Sequence, residues 1–222
     1  MPIINKLPLT GIYGGTFDPI HFGHLRIAEE LCDMIGFRKI SFVPSGVPRL
    51  RQAPAASRDH RAAMVRLAIE DNPRFELDTR EINRPGVTAT VQTLREYQHE
   101  AGDNAALCFI LGIDAFTKID HWTEWLELFN LCHFIIVPRP GFTSLRETRQ
   151  LSAAVQQELF SRHIVNGSDL ALQSSGFIYT AQTSMLEISA SQIRTLFSTG
   201  KSARYLLPEK VLGYIKSNRL YT

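Results

Sequence analysis

The chain has 222 residues, of which 44% are hydrophobic and 21% charged, and its formal net charge at pH 7 is only +2. This composition is typical of a globular protein that can bury one core, so we expect a single domain over residues 1–222. So small a charge excludes nucleic-acid binding that relies on a strongly basic chain, and no apolar run reaches the roughly 20 residues of a membrane-spanning helix.

Four apolar runs, each closed by glycine or proline, predict buried strands. Both sides of these runs are apolar and they lack a period of two, as is typical of strands in a parallel sheet. The runs are LTGIYGG (9–15), KISFVPSG (39–46), ALCFILG (106–112) and CHFIIVPRPG (132–141).

Segments with helical periodicity lie between and after these runs. The first covers residues 22–35, and the second is expected to follow an N-cap at Ser57. TVQTLREYQHE and LRETRQLSAAVQQELF continue the alternation, and TSMLEISASQIRTLF begins with a strand end that two helices follow. The side chains predicted on the buried sides of the first two helices are those of Leu25, Ala28, Leu31, Cys32, Met64, Leu67 and Ala68.

Alternating strands and helices predict an α/β fold with a doubly wound parallel sheet and right-handed crossovers. The helical part from about residue 187 onwards is expected to pack on the same domain. In such sheets ligands bind beyond the carboxyl ends of the strands, in the crevice where the strand order reverses. The glycines that close the predicted strands lie at this edge, so we expect the functional site there.

The three cysteines, Cys32, Cys108 and Cys132, stand apart in apolar surroundings. This spacing indicates buried thiols in a reducing compartment and neither a zinc site nor a disulfide framework. The first ten residues, MPIINKLPLT, lack the pattern of a secretory signal, so we expect a cytoplasmic protein.

The stretch GIYGGTFDPIHFGH (11–24) carries the main functional signal. Gly14 and Gly15 end a predicted strand, where a missing Cβ would let the backbone approach a bound group. A helix begins near Phe22, so its free N–H groups and the positive end of its dipole face the same crevice. The stretch therefore predicts an anion-binding site.

His21 and His24 are three residues apart, so both imidazoles can project toward this site. Imidazole donates hydrogen bonds to phosphate oxygens and carries positive charge beside an anion. A zinc site is a weaker alternative because no third ligand lies at a suitable spacing. A second alternative is that both histidines are ordinary capping and core residues.

The pattern G-G-T-F-D-P-I-H-x-G-H resembles the H-x-G-H signature of the nucleotidyltransferase superfamily, and more closely the beginning of bacterial nicotinate-nucleotide adenylyltransferases. Three later segments support the resemblance. LGIDAFTKIDHWTEW is similar to the family's G-x-D segment with its following tryptophan, ISASQIR to its I-S-S-T-x-I-R motif, and YLLPEKVLGYI to its closing helix. The resemblance implies a Rossmann-like nucleotidyltransferase fold.

The resemblance also implies a reaction and a site. ATP would donate its adenylyl group to nicotinate mononucleotide, giving nicotinate adenine dinucleotide and pyrophosphate, with Mg²⁺ carried by the ATP phosphates and no metal ligand from the protein. His21, His24 and Arg194 would be catalytic. The implied ATP-binding residues are Gly14, Gly15, Thr16, His21, His24, Asp114, Ser189 and Arg194, and the implied mononucleotide-binding residues are Thr88, Thr90, Trp122 and Arg51.

Each implied role has a structural alternative. Trp122 can be a core residue, Asp114 a helix cap after Gly112, and Arg194 a surface ion-pair residue. At the level of the whole protein, the alternatives are a sister adenylyltransferase with another phosphorylated acceptor and a nucleotide-binding sensor without catalysis. The oligomeric state is left open.

The chain departs from the family pattern at Leu50, Ala89 and Gln92, and more mildly at Ala190 and Ser191, which replace a serine-threonine pair and keep one hydroxyl. Leu50 stands where the loop after the second strand usually has histidine, although Arg51 keeps the cation that follows. Ala89 replaces a tyrosine and Gln92 an aspartate in the segment VTATVQTL. These changes predict an altered loop and an altered pyridine pocket.

The basic residues cluster between residues 48 and 63, where Arg49, Arg51, Arg58 and Arg61 lie in a stretch rich in proline and alanine. One interpretation is a solvated loop. The other is a mobile basic loop that closes on a polyanionic ligand, which the neighbouring phosphate site favours.

Overall fold

The computed structural model describes residues 6–48, 53–102, 105–138 and 151–222. Seven parallel strands form the central sheet and two short strands form a separate ladder. The strands are β1 (Leu9–Gly15), β2 (Ile40–Pro44), β3 (Val47–Pro48), β4 (Phe75–Leu77), β5 (Val87–Thr88), β6 (Ala106–Gly112), β7 (His133–Val137), β8 (His163–Ile164) and β9 (Ile178–Thr180).

Helices connect the strands and cover both faces of the sheet. The α-helices of the described residues are α1 (Phe22–Ile35), α2 (Arg58–Ile69), α3 (Arg80–Asn83), α4 (Thr90–Ala101), α5 (Ile113–Phe116), α6 (Leu128–Leu131), α7 (Ala153–Arg162), α8 (Ala190–Ser198) and α9 (Glu209–Ser217). The 3₁₀ helices Ile119–His121 and Gly167–Leu172 lie in the connections.

The strand order in the sheet is β4-β2-β1-β6-β7-β9-β8. The chain moves outward from β1 through β2 to β4 and then returns to the other side of β1 with β6. The strand order therefore reverses between β1 and β6, and a crevice opens beyond their carboxyl ends. The predicted doubly wound parallel sheet is confirmed.

Both faces of the sheet are buried, as the apolar strand runs predict. Successive residues of β6 belong to different sides of the sheet: Cys108 and Ile110 pack in the core beneath α1, α2, α8 and α9, whereas Leu107, Phe109 and Leu111 pack with α4, α6 and α7. This alternation follows from the two-residue period of a strand.

The first two predicted helices occur where the sequence places them. Helix α1 covers residues 22–35 and ends at Gly36 with a left-handed φ of 84°, a conformation that glycine adopts without strain. Ser57 caps α2, because its Oγ accepts a hydrogen bond from the backbone N–H of His60. Of the side chains predicted on the buried face of α2, only Met64 is fully buried, and Leu67 and Ala68 are half-buried.

Arg61 of α2 is buried, although its place in a basic stretch of the sequence predicts an exposed side chain. Its side chain is fully buried and donates to the carbonyl oxygens of Thr16, Ser45 and Gly46 at 2.8, 2.6 and 3.2 Å. Burial lowers its pKa, and the carboxylate of Asp18 opposes this shift. The prediction that Arg58 and Arg61 belong to a mobile loop is wrong, because both lie in α2. Arg49, Leu50 and Arg51 lie outside the described residues.

The last part of the chain differs from its prediction in one element. The strand end expected in TSMLEI does not form there: the last strand, β9, ends at Thr180, and residues 181–189 are irregular. The two helices that follow are α8 and α9. Ile193, Val211 and Ile215 from these helices belong to the same buried cluster as residues of α1, and the single domain over residues 1–222 stays a prediction.

The three cysteines are free and buried. Burial, with a contribution from Asp33, raises the pKa of Cys32 to about 11, and burial also raises the pKa of Cys108 and Cys132. Within the described ranges, no helix is both long and apolar enough to cross a membrane.

Candidate active site

A cavity of about 1220 Å³ opens at the carboxyl ends of β1 and β6, where the strand order reverses. Its walls are the starts of α1, α4, α5 and α8 and the irregular segment before α8. The predicted site residues of the described chain all line it: Gly14, Gly15, Thr16, His21, His24, Thr88, Thr90, Asp114, Trp122, Ser189 and Arg194. The fold therefore brings the separate sequence motifs to one place.

His21 and His24 stand at the start of α1 with their rings almost in contact. His21 is the extended N-cap residue, and the two ring centroids are 3.8 Å apart. The backbone N–H of His21 donates to Nδ1 of His24 over 3.3 Å, so a neutral His24 carries its hydrogen on Nε2, as a donor. A Cβ at Gly23 would lie 3.0 Å from Nδ1 of His21, so glycine gives the His21 ring its place beside the first turn.

Gly14 and Gly15 line the cavity, and the space that their missing Cβ atoms leave is filled by core packing. A Cβ on Gly14 would lie 2.6 Å from the ring of Phe109, and one on Gly15 would lie 2.8 Å from the ring of Phe17. These aromatic rings fill the space, which corrects the reason that the sequence suggests for the two glycines.

Gly14→Ala is expected to lower the free energy of unfolding by about 1 to 3 kcal/mol, the usual cost of overpacking a core. The control is Gly213→Ala in α9, where an added Cβ meets nothing within 4 Å, so alanine stabilises the helix by roughly 0.5 to 1 kcal/mol. Denaturant titration of both variants measures the two changes. Equal stability of Gly14→Ala and the unmodified chain would show that Phe109 moves aside without cost.

The C-terminal motif reaches the N-terminal motif through Arg194. Its Nη1 donates to the carbonyl oxygen of Asp18 over 2.7 Å and lies 3.9 Å from the carboxylate of the same residue. Ser189 is the N-cap of α8, because its Oγ accepts from the backbone N–H of Gln192 at 3.1 Å and lies 3.1 Å from Oγ of Ser191. Arg194 is thus hydrogen-bonded to the loop of residues 16–21 that precedes α1, which we call the α1 loop.

Asp114 and Trp122 form another part of the wall. Asp114 lies in the first turn of α5, directly after β6, and is not its N-cap, which is Gly112. The Trp122 ring packs edge-on against Phe109, with centroids 6.1 Å apart. Trp122 is only half-buried, so it belongs to the edge of the core and to the cavity wall at once.

Thr88, Ala89 and Thr90 form the wall at the start of α4. Ala89 is the N-cap and its side chain makes no capping hydrogen bond. Gln92 is exposed and does not line the cavity. Of the two departures in this segment, only the one at Ala89 therefore changes the cavity wall.

Glu81 is a cavity residue that the sequence analysis missed. It is buried, and its Oε1 accepts from the hydroxyl of Thr93 at 2.8 Å. Burial raises the pKa of this carboxyl, while hydrogen bonds with Thr93 and Thr88 oppose the shift. No sequence pattern marks a glutamate in a four-residue helix as a wall residue.

Asp18 is a second cavity residue that no sequence pattern singled out, although it lies within the stretch GIYGGTFDPIHFGH. Its carboxylate accepts from the backbone N–H groups of Ala55 and Ala56, at 2.7 and 3.1 Å, and from the hydroxyl of Tyr221 at 2.6 Å. Asp18 is 5% exposed. An aspartate between phenylalanine and proline resembles a turn residue, and its partners are distant in sequence.

The described residues contain no group of three or more His, Cys, Asp or Glu side chains that could hold a metal ion. The Asp18 carboxylate has three donors already, so it is poorly placed to become a ligand. An ion that phosphate oxygens and water hold, as Mg²⁺ commonly is, needs no such group from the protein.

Comparison with known proteins agrees with this architecture. Residues 12–196 match the model of the Cytidylyltransferase-like family. The chain is 41% identical to a "Probable nicotinate-nucleotide adenylyltransferase" from Hahella chejuensis over 95% of this chain and 94% of that protein. It is 39% identical to the protein of the same name from Dechloromonas aromatica, over 95% and 96% of the two chains.

A solved structure shares the fold. Plasmodium falciparum nicotinic acid mononucleotide adenylyltransferase complexed with NaAD superposes with a TM-score of 0.71 at 19% identity, over 96% of this chain and 97% of that one. Because the family model spans most of the chain and full-length relatives share about two residues in five, this chain belongs to the nicotinate-nucleotide adenylyltransferase family.

Proposed function

We propose that the chain transfers the adenylyl group of ATP to nicotinate mononucleotide, producing nicotinate adenine dinucleotide and pyrophosphate for NAD biosynthesis. One observation carries the proposal. His21 and His24 at the start of α1 line the same cavity as Arg194, and this cavity lies where the strand order of the sheet reverses. Its volume of about 1220 Å³ exceeds the roughly 300–1,000 Å³ of ordinary ligand pockets, which suits two nucleotides side by side.

The residues of the chain would act by position and charge. The attacking phosphate monoester has a second pKa of about 6, so it is largely ionised at neutral pH and requires no general base. His21 and His24 would donate to phosphate oxygens at the start of α1, and Arg194 would bind the leaving pyrophosphate. The negative charge that develops on the leaving group is then offset where it forms.

Asp114, Ser189 and the Gly14–Thr16 backbone would bind the rest of ATP, and Thr88, Thr90, Trp122 and Arg51 the mononucleotide. Mg²⁺ would reach the site with the phosphates of ATP and offset part of their charge. We place the reaction in the cytoplasm, where buried free thiols such as those of this chain stay reduced.

The chain is expected to prefer nicotinate mononucleotide over nicotinamide mononucleotide by at least tenfold in kcat/KM. The nicotinate carboxylate is an anion, whereas the nicotinamide group is neutral. The start of α4 lies on the cavity wall, and its N-cap residue, Ala89, makes no side-chain capping hydrogen bond. The N–H groups of this helix start therefore favour the acid. Tenfold requires only about 1.4 kcal/mol of differential transition-state binding.

Trp122→Ala tests the contribution of ring stacking separately from the preference for the acid. A ring that stacks on the pyridine adds binding for either mononucleotide, so the variant is expected to use both less efficiently while the preference stays. Steady-state assays with each substrate measure both quantities. Comparable efficiency with acid and amide in the unmodified protein would instead indicate a dual-specificity transferase.

A turnover assay with ATP and a panel of phosphorylated acceptors tests the proposed function. We expect pyrophosphate release with nicotinate mononucleotide and little with phosphopantetheine or other phosphorylated alcohols. Release with one of those acceptors alone would indicate a sister transferase. ATP binding without pyrophosphate release from any acceptor would indicate a sensor.

A further inference from the structure

Four separate parts of the chain meet at Asp18. Its carboxylate accepts from the backbone N–H groups of Ala55 and Ala56, which lie just before α2. Its carbonyl oxygen accepts from Arg194 on α8. Tyr221, next to the last residue of the sequence, donates to Oδ1 over 2.6 Å. Asp18 therefore connects the α1 loop to the residues just before α2, to α8 and to the end of the chain.

Tyr221 is part of this junction, which consists of Asp18 and its hydrogen-bond partners Ala55, Ala56, Arg194 and Tyr221. Burial, followed by the hydrogen bond to Asp18, raises the pKa of the phenol, so its hydroxyl is a donor at neutral pH. Its ring packs against Phe197 of α8, with centroids 6.3 Å apart. Its φ of 64° is in the left-handed region, which non-glycine residues adopt uncommonly. The neighbouring contacts thus hold the backbone in a turn that directs the side chain inward.

Among the residues of this junction, Arg194 lines the cavity and is proposed to bind phosphate. One of its nitrogens is occupied by the carbonyl oxygen of Asp18, which sets the direction of the guanidinium group. The peptide that carries this carbonyl is in turn fixed by the Asp18 side chain and its three donors. A guanidinium that is already oriented loses less freedom when phosphate binds.

We infer that Tyr221 is a positioning residue for ATP binding, which acts through Asp18 to hold Arg194 in its phosphate-binding orientation. The inference rests on the proposed function, in that it takes Arg194 to contact the ATP phosphates. Tyr221 itself does not line the cavity, so its effect on a substrate has to pass through the junction.

The test is Tyr221→Phe, which removes one hydroxyl and keeps the ring against Phe197. The matched control is Tyr214→Phe on α9. The Tyr214 hydroxyl also makes a side-chain hydrogen bond, to Nδ1 of His60 at 2.9 Å. Unlike Asp18, however, His60 does not line the cavity, and Tyr214 does not line it either. We expect Tyr221→Phe to raise the KM for ATP and the calorimetric Kd for ATP about tenfold, the scale of a lost hydrogen bond to a charged group. The KM for the mononucleotide should change less than about twofold.

A double-mutant cycle with Arg194→Ala identifies the route of the effect. If Tyr221 acts through Arg194, adding Tyr221→Phe to Arg194→Ala leaves the Kd for ATP unchanged. Three results overturn the inference: an unchanged Kd for ATP in Tyr221→Phe, equal losses for both substrates, or an undiminished effect in the Arg194→Ala background. The binding measurements are made below the unfolding midpoint of every variant, so that loss of folded protein does not contribute.

The proposed function is judged separately, by turnover of the unmodified protein. If the unmodified protein binds ATP but does not adenylylate nicotinate mononucleotide, the proposed reaction fails and the ATP-binding data still decide the role of Tyr221. If it turns over and Tyr221→Phe binds ATP normally, only the inference about Tyr221 fails.

Discussion

His24→Ala is expected to lower turnover at least a hundredfold. A well-placed donor to developing charge contributes about 3 to 4 kcal/mol to transition-state binding. His24 faces the cavity, and its Nδ1 is held by the backbone N–H of His21, which leaves Nε2 as the donor of the neutral ring. Steady-state turnover at saturating ATP and mononucleotide measures the effect.

The same variant should lose little stability. The ring accepts a hydrogen bond from the backbone of His21 at the start of α1 and packs edge-on against Phe17, so we expect a loss of about 1 kcal/mol, as for a helix cap. His99→Ala, at an exposed position of α4, is the control and should keep full turnover. Near-normal turnover of His24→Ala would remove this residue from the mechanism.

Arg194→Ala is expected to weaken ATP binding by about 10- to 100-fold, which corresponds to a charge-assisted hydrogen bond of about 1.5 to 3 kcal/mol. Binding of the mononucleotide should change less than about threefold, because the arginine would contact only the triphosphate. Calorimetric titration of each ligand separates the two.

The control for Arg194→Ala is Arg204→Ala, whose exposed guanidinium pairs with Glu209. Exposed ion pairs contribute roughly 0 to 1 kcal/mol, so this control should bind both ligands normally. If Arg194→Ala weakens ATP and mononucleotide equally, its bond to Asp18 serves the fold and not the triphosphate.

Local patterns predicted most of the architecture. The apolar runs that became β1, β2, β6 and β7 are buried on both faces, and such runs fit few places other than the middle of a parallel sheet. Helix α1 begins and ends where its periodicity predicts. The crevice followed from the same pattern, because parallel strands that alternate with helices bring their carboxyl ends to one edge.

Long-range partners were beyond the reach of these patterns. An arginine in a basic stretch indicates a solvated side chain, but Arg61 is buried because three carbonyl oxygens from other segments accept its N–H groups. Gly14 and Gly15 suggested a close ligand, whereas the neighbouring rings of Phe109 and Phe17 occupy the space.

The sequence by itself determined the type of sheet, the edge that carries the cavity and the residue types that line it, since each depends on periodicity or on a short motif. Only the tertiary structure decided which distant residues support them. Asp18 and Tyr221 are 203 positions apart and meet at 2.6 Å, and Arg194 reaches Asp18 across 176 positions. Contacts at such separations arise because α8 and residues 220–221 pack in the same buried cluster as β1 and α2, which no local pattern encodes.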